Sequence, residues 1–119
     1  MKERRKQERK GLAAYTQVYD LYGGSRIGYL GDLTLKGAMA ISEDTMQVNT
    51  DITLAIELPE LPHVKTRRLT LPARVVWCEH DLSPQFYNVG FEFKEVTEAQ
   101  KTMIESVIHN YEFHRELRQ

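Results

Sequence analysis

Three stretches between residues 51 and 94 place an apolar residue at every second position, and this alternation limits the fold more than any other feature. Ile52, Leu54, Ile56 and Leu58 alternate with Asp51, Thr53, Ala55 and Glu57. Leu69, Leu71, Ala73, Val75 and Trp77 alternate with Arg68, Thr70, Pro72, Arg74 and Val76. Tyr87, Val89, Phe91 and Phe93 alternate with Asn88, Gly90, Glu92 and Lys94. Successive side chains of a strand point to opposite faces. Each stretch therefore has one core face and one wetter face, as in an antiparallel sheet or barrel. Pro59 and Pro62 break the chain between the first two stretches, and Asp81-Leu82-Ser83-Pro84 breaks it between the second and third.

The chain before residue 51 is strand-like in a less regular way. Tyr15, Thr16, Val18, Tyr19 and Tyr22 are good strand formers, and Gly23-Gly24-Ser25 closes the run as a turn. Ile27, Tyr29, Leu33 and Leu35 then share one face at period two. Gly37 interrupts this run, and a short strand resumes from Ala38 to Ile41.

After Lys94 the period changes. Thr97-Glu98-Ala99-Gln100 reads as a capping box, with Thr97 as N-cap and Gln100 three residues on. Met103, Ile104, Val107, Ile108 and Tyr111 then form one stripe at helical spacing, and the helix is expected to run to His114 and Leu117. The stripe suits packing on a barrel and leaves a dimer contact open, so a monomer or weak dimer is expected. The predicted order is a basic arm over residues 1–11, then a domain over 12–119 of about six strands and one helix at about 97–117.

Composition narrows the class. A chain of 119 residues, 41% hydrophobic and 28% charged, fits one soluble domain. Net charge is −1, so there is no global basic field of the kind a nucleic-acid coat protein carries. Charge is uneven, however. Lys2, Arg4, Arg5, Lys6, Arg9 and Lys10 stand against only Glu3 and Glu8, which points to an anionic partner. Cys78 is the only cysteine, which suits a reducing cytoplasm. No apolar run approaches the roughly 20 residues of a membrane span. The basic N-terminus leads into Leu12-Ala13-Ala14 and then Tyr15-Thr16-Gln17, not an apolar signal core. A cytoplasmic location, away from the membrane, is expected.

The residue types that catalysis would need are scattered along the chain. His63, His80, His109 and His114 share no short metal-ligand spacing with Cys78 or a carboxylate pair. His109 and His114 are five apart on the predicted helix, which suits solvated side chains better than joint chelation. The chain has no nucleophile elbow, no glycine-rich phosphate loop ending in Lys-Ser/Thr and no H-E-x-x-H. Cys78 reads as a small packed residue. No enzyme, metal or cofactor is predicted.

Two short motifs remain. Arg5-x-x-x-Arg9 carries two planar guanidinium forks, with Arg4 beside them. Each fork can engage a phosphate or the O6/N7 edge of guanine through two hydrogen bonds. With nine arginines in the chain, the spacing by itself is unremarkable, and a solvated basic tail is the plain alternative. Asp32-x-Thr34-x-x-Gly37 is rarer, with about 0.05 chance matches expected in a chain of this composition. Period two puts Asp32 and Thr34 on the face opposite Leu33 and Leu35. A carboxylate there can accept from N1–H and the N2 amino group of guanine, and Gly37 permits a turn and a close backbone approach. The plain alternative is a turn in which Asp32 or Thr34 bonds its own backbone. Trp77 is read chiefly as core, because it keeps register with Val75, and otherwise as a stacking surface for a base.

The two motifs, in this order, resemble the PilZ domain family. Leu71-Pro72-Ala73-Arg74-Val75-Val76-Trp77 is similar to that family's long strand ending in an aromatic. Asn88-Val89-Gly90-Phe91-Glu92-Phe93 is similar to its last strand before a terminal helix. The resemblance implies a mainly β fold, a six-stranded antiparallel β-barrel with a C-terminal α-helix and a flexible N-terminal arm. It implies a receptor for cyclic di-GMP, in which Arg5 and Arg9 hold guanine and phosphate while Asp32, Thr34 and Gly37 line the other side. Arg4, directly before the motif, goes in similar members with two stacked nucleotides per chain. Thr34 departs from the serine usual there; it keeps the hydroxyl and adds a stiffening methyl. The expected output is a surface offered to a protein partner. An adaptor that does not bind the nucleotide is the alternative. A barrel for single-stranded nucleic acid fits less well, since net charge is −1 and no strand face is rich in exposed aromatics and cations.

Overall fold

The computed structural model describes residues 16–58 and 68–110. Six strands and a helix follow in order: β1 (Gln17–Asp20), β2 (Arg26–Leu33), β3 (Gly37–Ser42), β4 (Asp51–Glu57), β5 (Arg68–His80), β6 (Tyr87–Phe93) and α1 (Glu98–Asn110). The strands close a barrel in the order β1-β2-β3-β6-β5-β4, and every neighbouring pair is antiparallel. Two three-stranded meanders thus join edge to edge, β3 to β6 and β4 to β1. Closure removes the unpaired edges that an open sheet of this size would present.

The alternation in β4, β5 and β6 does what period two requires. Leu54, Ile56, Leu69, Leu71, Ala73, Val75, Val89 and Phe91 are buried in one cluster. Each fully buried Leu, Ile or Val contributes about 1.5–3 kcal/mol relative to exposure. α1 closes one side of this core with Ile104 and Val107, flanked by Met103 and Ile108. Its capping box forms as the sequence implies. The Thr97 amide donates to Gln100 Oε1 at 3.0 Å, and the Gln100 amide donates to Thr97 Oγ1 at 3.1 Å. Gln100 does more: its Nε2 donates to the Thr70 carbonyl at 2.8 Å and so fastens the first turn of α1 to β5.

Three register shifts correct the period-two count: one between Val18 and Tyr19, where β1 meets β2, and two nearer the motif residues. Between Leu30 and Asp32 the register of β2 against β3 shifts by one residue, which leaves Gly31 over. Leu30 and Leu33 therefore both reach the core, whereas Tyr29 pairs with Ile41 and is only half-buried. Leu35 falls in the turn beyond β2 and is 38% exposed. Between Val75 and Trp77 the register of β5 against β6 shifts in the same way, with Val76 left over. The shift turns Trp77 outward, where it is 39% exposed, and turns Cys78 toward the core in its place. The reading of Trp77 as core is thus wrong, for a reason of strand geometry: an extra residue on one strand reverses the facing of all that follow it. β1 is also shorter than its strand formers suggest. Tyr22 lies in the β1–β2 turn, which Gly24 (φ 75°) closes with its amide on the Asp20 carbonyl at 2.8 Å.

Candidate functional site

The turn between β2 and β3 is built by the rare motif. The Thr34 amide donates to the Gly37 carbonyl at 2.9 Å. The Thr34 hydroxyl oxygen accepts from the amides of Lys36 at 3.2 Å and Gly37 at 3.1 Å. The Asp32 Oδ1 accepts from the Leu33 amide at 2.9 Å. Local side-chain to backbone bonding, the plain alternative for this motif, is therefore real, and Thr34 performs it with the hydroxyl that serine would also supply. Gly37 has its own reason to be glycine. It pairs with Glu92 on β6, and a Cβ there would strike the Phe91 carbonyl oxygen.

The two bulges align four strands at this end of the barrel. Asp32 on β2 pairs with Met39 on β3, Met39 with Gly90 on β6, and Gly90 with Trp77 on β5. The four residues make one cross-strand row on the outer face. An open pocket of about 270 Å³ follows this row and takes in Thr34, Lys36, Gly37 and Glu92 from the turn and the neighbouring rung. Its chemistry is mixed in a useful way. Met39 and Trp77 give an apolar and aromatic surface. Asp32 and Glu92 give carboxylates, and Lys36 gives an ammonium. Such a pocket can hold a planar base by stacking and read its edge by hydrogen bonds.

The next rung is charged. Gly37 pairs with Glu92, Glu92 with Arg74, and Arg74 with Asp51. The Arg74 Nε meets Asp51 Oδ1 at 2.8 Å, and the Lys94 Nζ meets Asp51 Oδ2 at 3.2 Å. Hydrogen bonds from Arg74 and then Lys94 hold the Asp51 carboxyl down at about 2, and the Asp51 contact raises Arg74 above its ordinary value. A second depression, about 350 Å³, lies on the far side of Asp51 among Tyr22, Pro72 and Lys94 and shares no residue with the pocket along Trp77.

Of the site residues expected from the sequence, Asp32, Thr34, Gly37 and Trp77 line a single pocket. Arg4, Arg5 and Arg9 lie outside the described residues. Their point of attachment is nevertheless defined, because the Leu30 amide donates to the Thr16 carbonyl at 2.8 Å. The chain thus enters β1 beside Leu30, two positions from Asp32. Sequence reasoning overlooked Lys36, Met39, Gly90 and Glu92 as pocket residues. A glycine inside the otherwise bulky β6 was the available signal for Gly90, since such a glycine marks close approach of another group. Among the described residues no three His, Cys, Asp or Glu side chains gather as a metal site, and no helix is long and apolar enough to cross a membrane.

The sequence matches the family model of the PilZ domain over residues 3–110. The chain belongs to the PilZ family, and its barrel and terminal helix are that family's architecture. No curated protein matches it significantly. Two solved structures share the fold. The PilZ domain with c-di-GMP of YcgR from Escherichia coli aligns with a TM-score of 0.59 and 16% identity, covering 87% of this chain and 85% of that one. The Bacillus subtilis inhibitor of motility, MotI/DgrA, aligns with a TM-score of 0.59 and 17% identity, over 87% of this chain. There the match spans 47% of the partner, about half its length.

Proposed function

We propose that this chain is a non-catalytic receptor for cyclic di-GMP, which it holds between the basic arm and the outer face of the barrel. The observation that carries the reading is the row Asp32–Met39–Gly90–Trp77. It brings a motif carboxylate and an aromatic face, 45 residues apart in sequence, to one pocket. Asp32 would accept from the N1–H and N2 amino edge of a guanine while Trp77 stacks on its face. Arg5 and Arg9 would supply bidentate contacts to phosphate and to the guanine O6/N7 edge. Arg9 is seven residues from Thr16, a span of at most about 25 Å, so an arm rooted beside Leu30 can reach the pocket. A fold shared with a YcgR domain described with c-di-GMP supports the same ligand.

Nucleotide binding then acts as a switch. Drawing residues 1–11 against the barrel costs conformational entropy, which the charge-assisted bonds to the phosphates must exceed. The closed arm presents a new surface to a protein partner. Arg4 adds a third cation, and with it room for a second, stacked nucleotide.

Calorimetric titration with cyclic di-GMP tests this. Arg5→Ala and Arg9→Ala should each lower affinity sharply, and Arg4→Ala less. Parental affinity in both Arg5→Ala and Arg9→Ala would remove the arm from the site. A measured ratio of one nucleotide per chain would rule out the stacked pair. One observation favours the alternative of an adaptor that binds no nucleotide: the Thr34 hydroxyl is already committed to the turn amides. Absence of heat from the parent protein would select it.

A further inference from the structure

Gly90 stands in the interior of β6, where its neighbours Val89 and Phe91 are buried core residues. A glycine here weakens the strand and needs a reason. Backbone conformation is not that reason. Among the described residues the only glycine with positive φ is Gly24, so Gly90 has a conformation that any residue can adopt. The reason is space. A Cβ on Gly90 would overlap Nε1, Cε2 and Cδ2 of Trp77 at once. Overlap with three indole atoms, not with one edge, means that the ring lies across the glycine.

The arrangement has a consequence for the pocket. One side of the indole is seated on the backbone of β6, and the residue as a whole remains 39% exposed. The ring therefore presents its other side outward, along the row that leads through Met39 to Asp32. A flat aromatic face that lines the same pocket as a carboxylate suits a planar base whose edge must meet that carboxylate. We infer that Gly90 is the positioning residue for the stacking face of Trp77, setting the depth at which a purine base can lie while its edge reaches Asp32. This rests on the nucleotide-binding reading given above. It assigns to Gly90 a role exerted wholly through Trp77.

Trp77 is the only tryptophan in the chain, so its fluorescence reports on this ring alone. In Gly90→Ala without nucleotide, the emission should shift to the red and acrylamide should quench it more readily, because the ring is lifted off the strand. Cyclic di-GMP should quench Trp77 emission in the parent and much less in Gly90→Ala. Calorimetry should show binding weakened roughly tenfold by Trp77→Ala, the order of one lost base stack, and by a comparable factor in Gly90→Ala. The double variant should bind as Trp77→Ala does, since without the indole the added methyl meets nothing. If Gly90→Ala fails to fold, refolding of the double variant supports the same contact. Parental emission and affinity in Gly90→Ala would overturn the inference. So would an equal loss of affinity from Gly90→Ala in the Trp77→Ala background. No heat from the parent protein would instead defeat the nucleotide-binding reading and the stacking role with it, and the emission data would then decide the seating of the ring alone.

Discussion

Arg74 and Asp51 face each other across β4 and β5, with Nε and Oδ1 2.8 Å apart, and Lys94 reaches the other carboxylate oxygen from the end of β6. The three strands of the β4–β5–β6 meander are thus tied at one carboxyl. Asp51 is depressed to about 2 from an ordinary 3.8. A depressed acid favours the folded state above its unfolded value, and that benefit is lost as pH falls through the folded value. The stabilising effect of Asp51 should therefore be complete above about pH 4 and fade between there and about pH 2. NMR titration of the Asp51 carboxyl carbon should give a midpoint near 2 in the parent. In Arg74→Gln the midpoint should rise toward the ordinary carboxylate range. Asp51→Asn should be less stable than the parent at neutral pH and equal to it in strong acid. A parental midpoint near 4 would show that the ion pair is not held in solution.

The Gln100 side chain makes two different bonds, accepting from the Thr97 amide and donating across to the Thr70 carbonyl. Thr97→Ala removes only the cap and should cost about 1 kcal/mol. Gln100→Ala removes the return bond and also leaves the Thr70 carbonyl without that donor. It should lower the urea midpoint at least as far as Thr97→Ala does. If Thr97→Ala were much the worse of the two, the docking bond to β5 would contribute little.

Thr34 supports its turn through Oγ1. Thr34→Ser keeps that oxygen and should leave stability close to the parent. Thr34→Val keeps the shape but loses two accepted bonds and the one donated to the Gly37 carbonyl, at a cost of about 1–2 kcal/mol. The same pair separates turn support from ligand contact. A serine variant that gained cyclic di-GMP affinity strongly would show that the threonine methyl obstructs the nucleotide.

Gly37 faces the main chain of β6, and the Phe93 amide donates to the neighbouring Lys36 carbonyl at 2.8 Å. In Gly37→Ala the new methyl meets a backbone carbonyl, which cannot swing aside as a side chain can. The β3–β6 seam must open locally, at about 1–3 kcal/mol. Hydrogen exchange at the Phe93 amide should quicken more than exchange at Val75, whose amide donates to the Thr50 carbonyl elsewhere in the barrel. Unchanged exchange at Phe93 would mean that the seam absorbs the methyl without opening.

What could be read from the residues was whatever depends on neighbours in sequence. The alternation of Leu69, Leu71, Ala73 and Val75 predicted a half-buried strand, and those side chains are fully buried. Thr97 and Gln100 predicted a capping box, and the reciprocal bonds are present. Asp32, Thr34 and Gly37 stood out as a motif, and they share one pocket. Counting by twos failed at Tyr29 and at Trp77, each beside a bulge. A bulge is a relation between two strands, and nothing local to Val76 or Gly31 states which partner lies opposite.

The sequence by itself therefore determined the number of strands, the terminal helix, its cap and the identity of the motif residues. These follow from periodicity, propensity and hydrogen bonds that span a few positions. Only the tertiary structure decided that β1 closes on β4, that Trp77 faces outward, and that Asp32, Met39, Gly90 and Trp77 form one row. Those outcomes depend on pairing between distant segments, and one extra residue in a strand reverses the facing of everything after it.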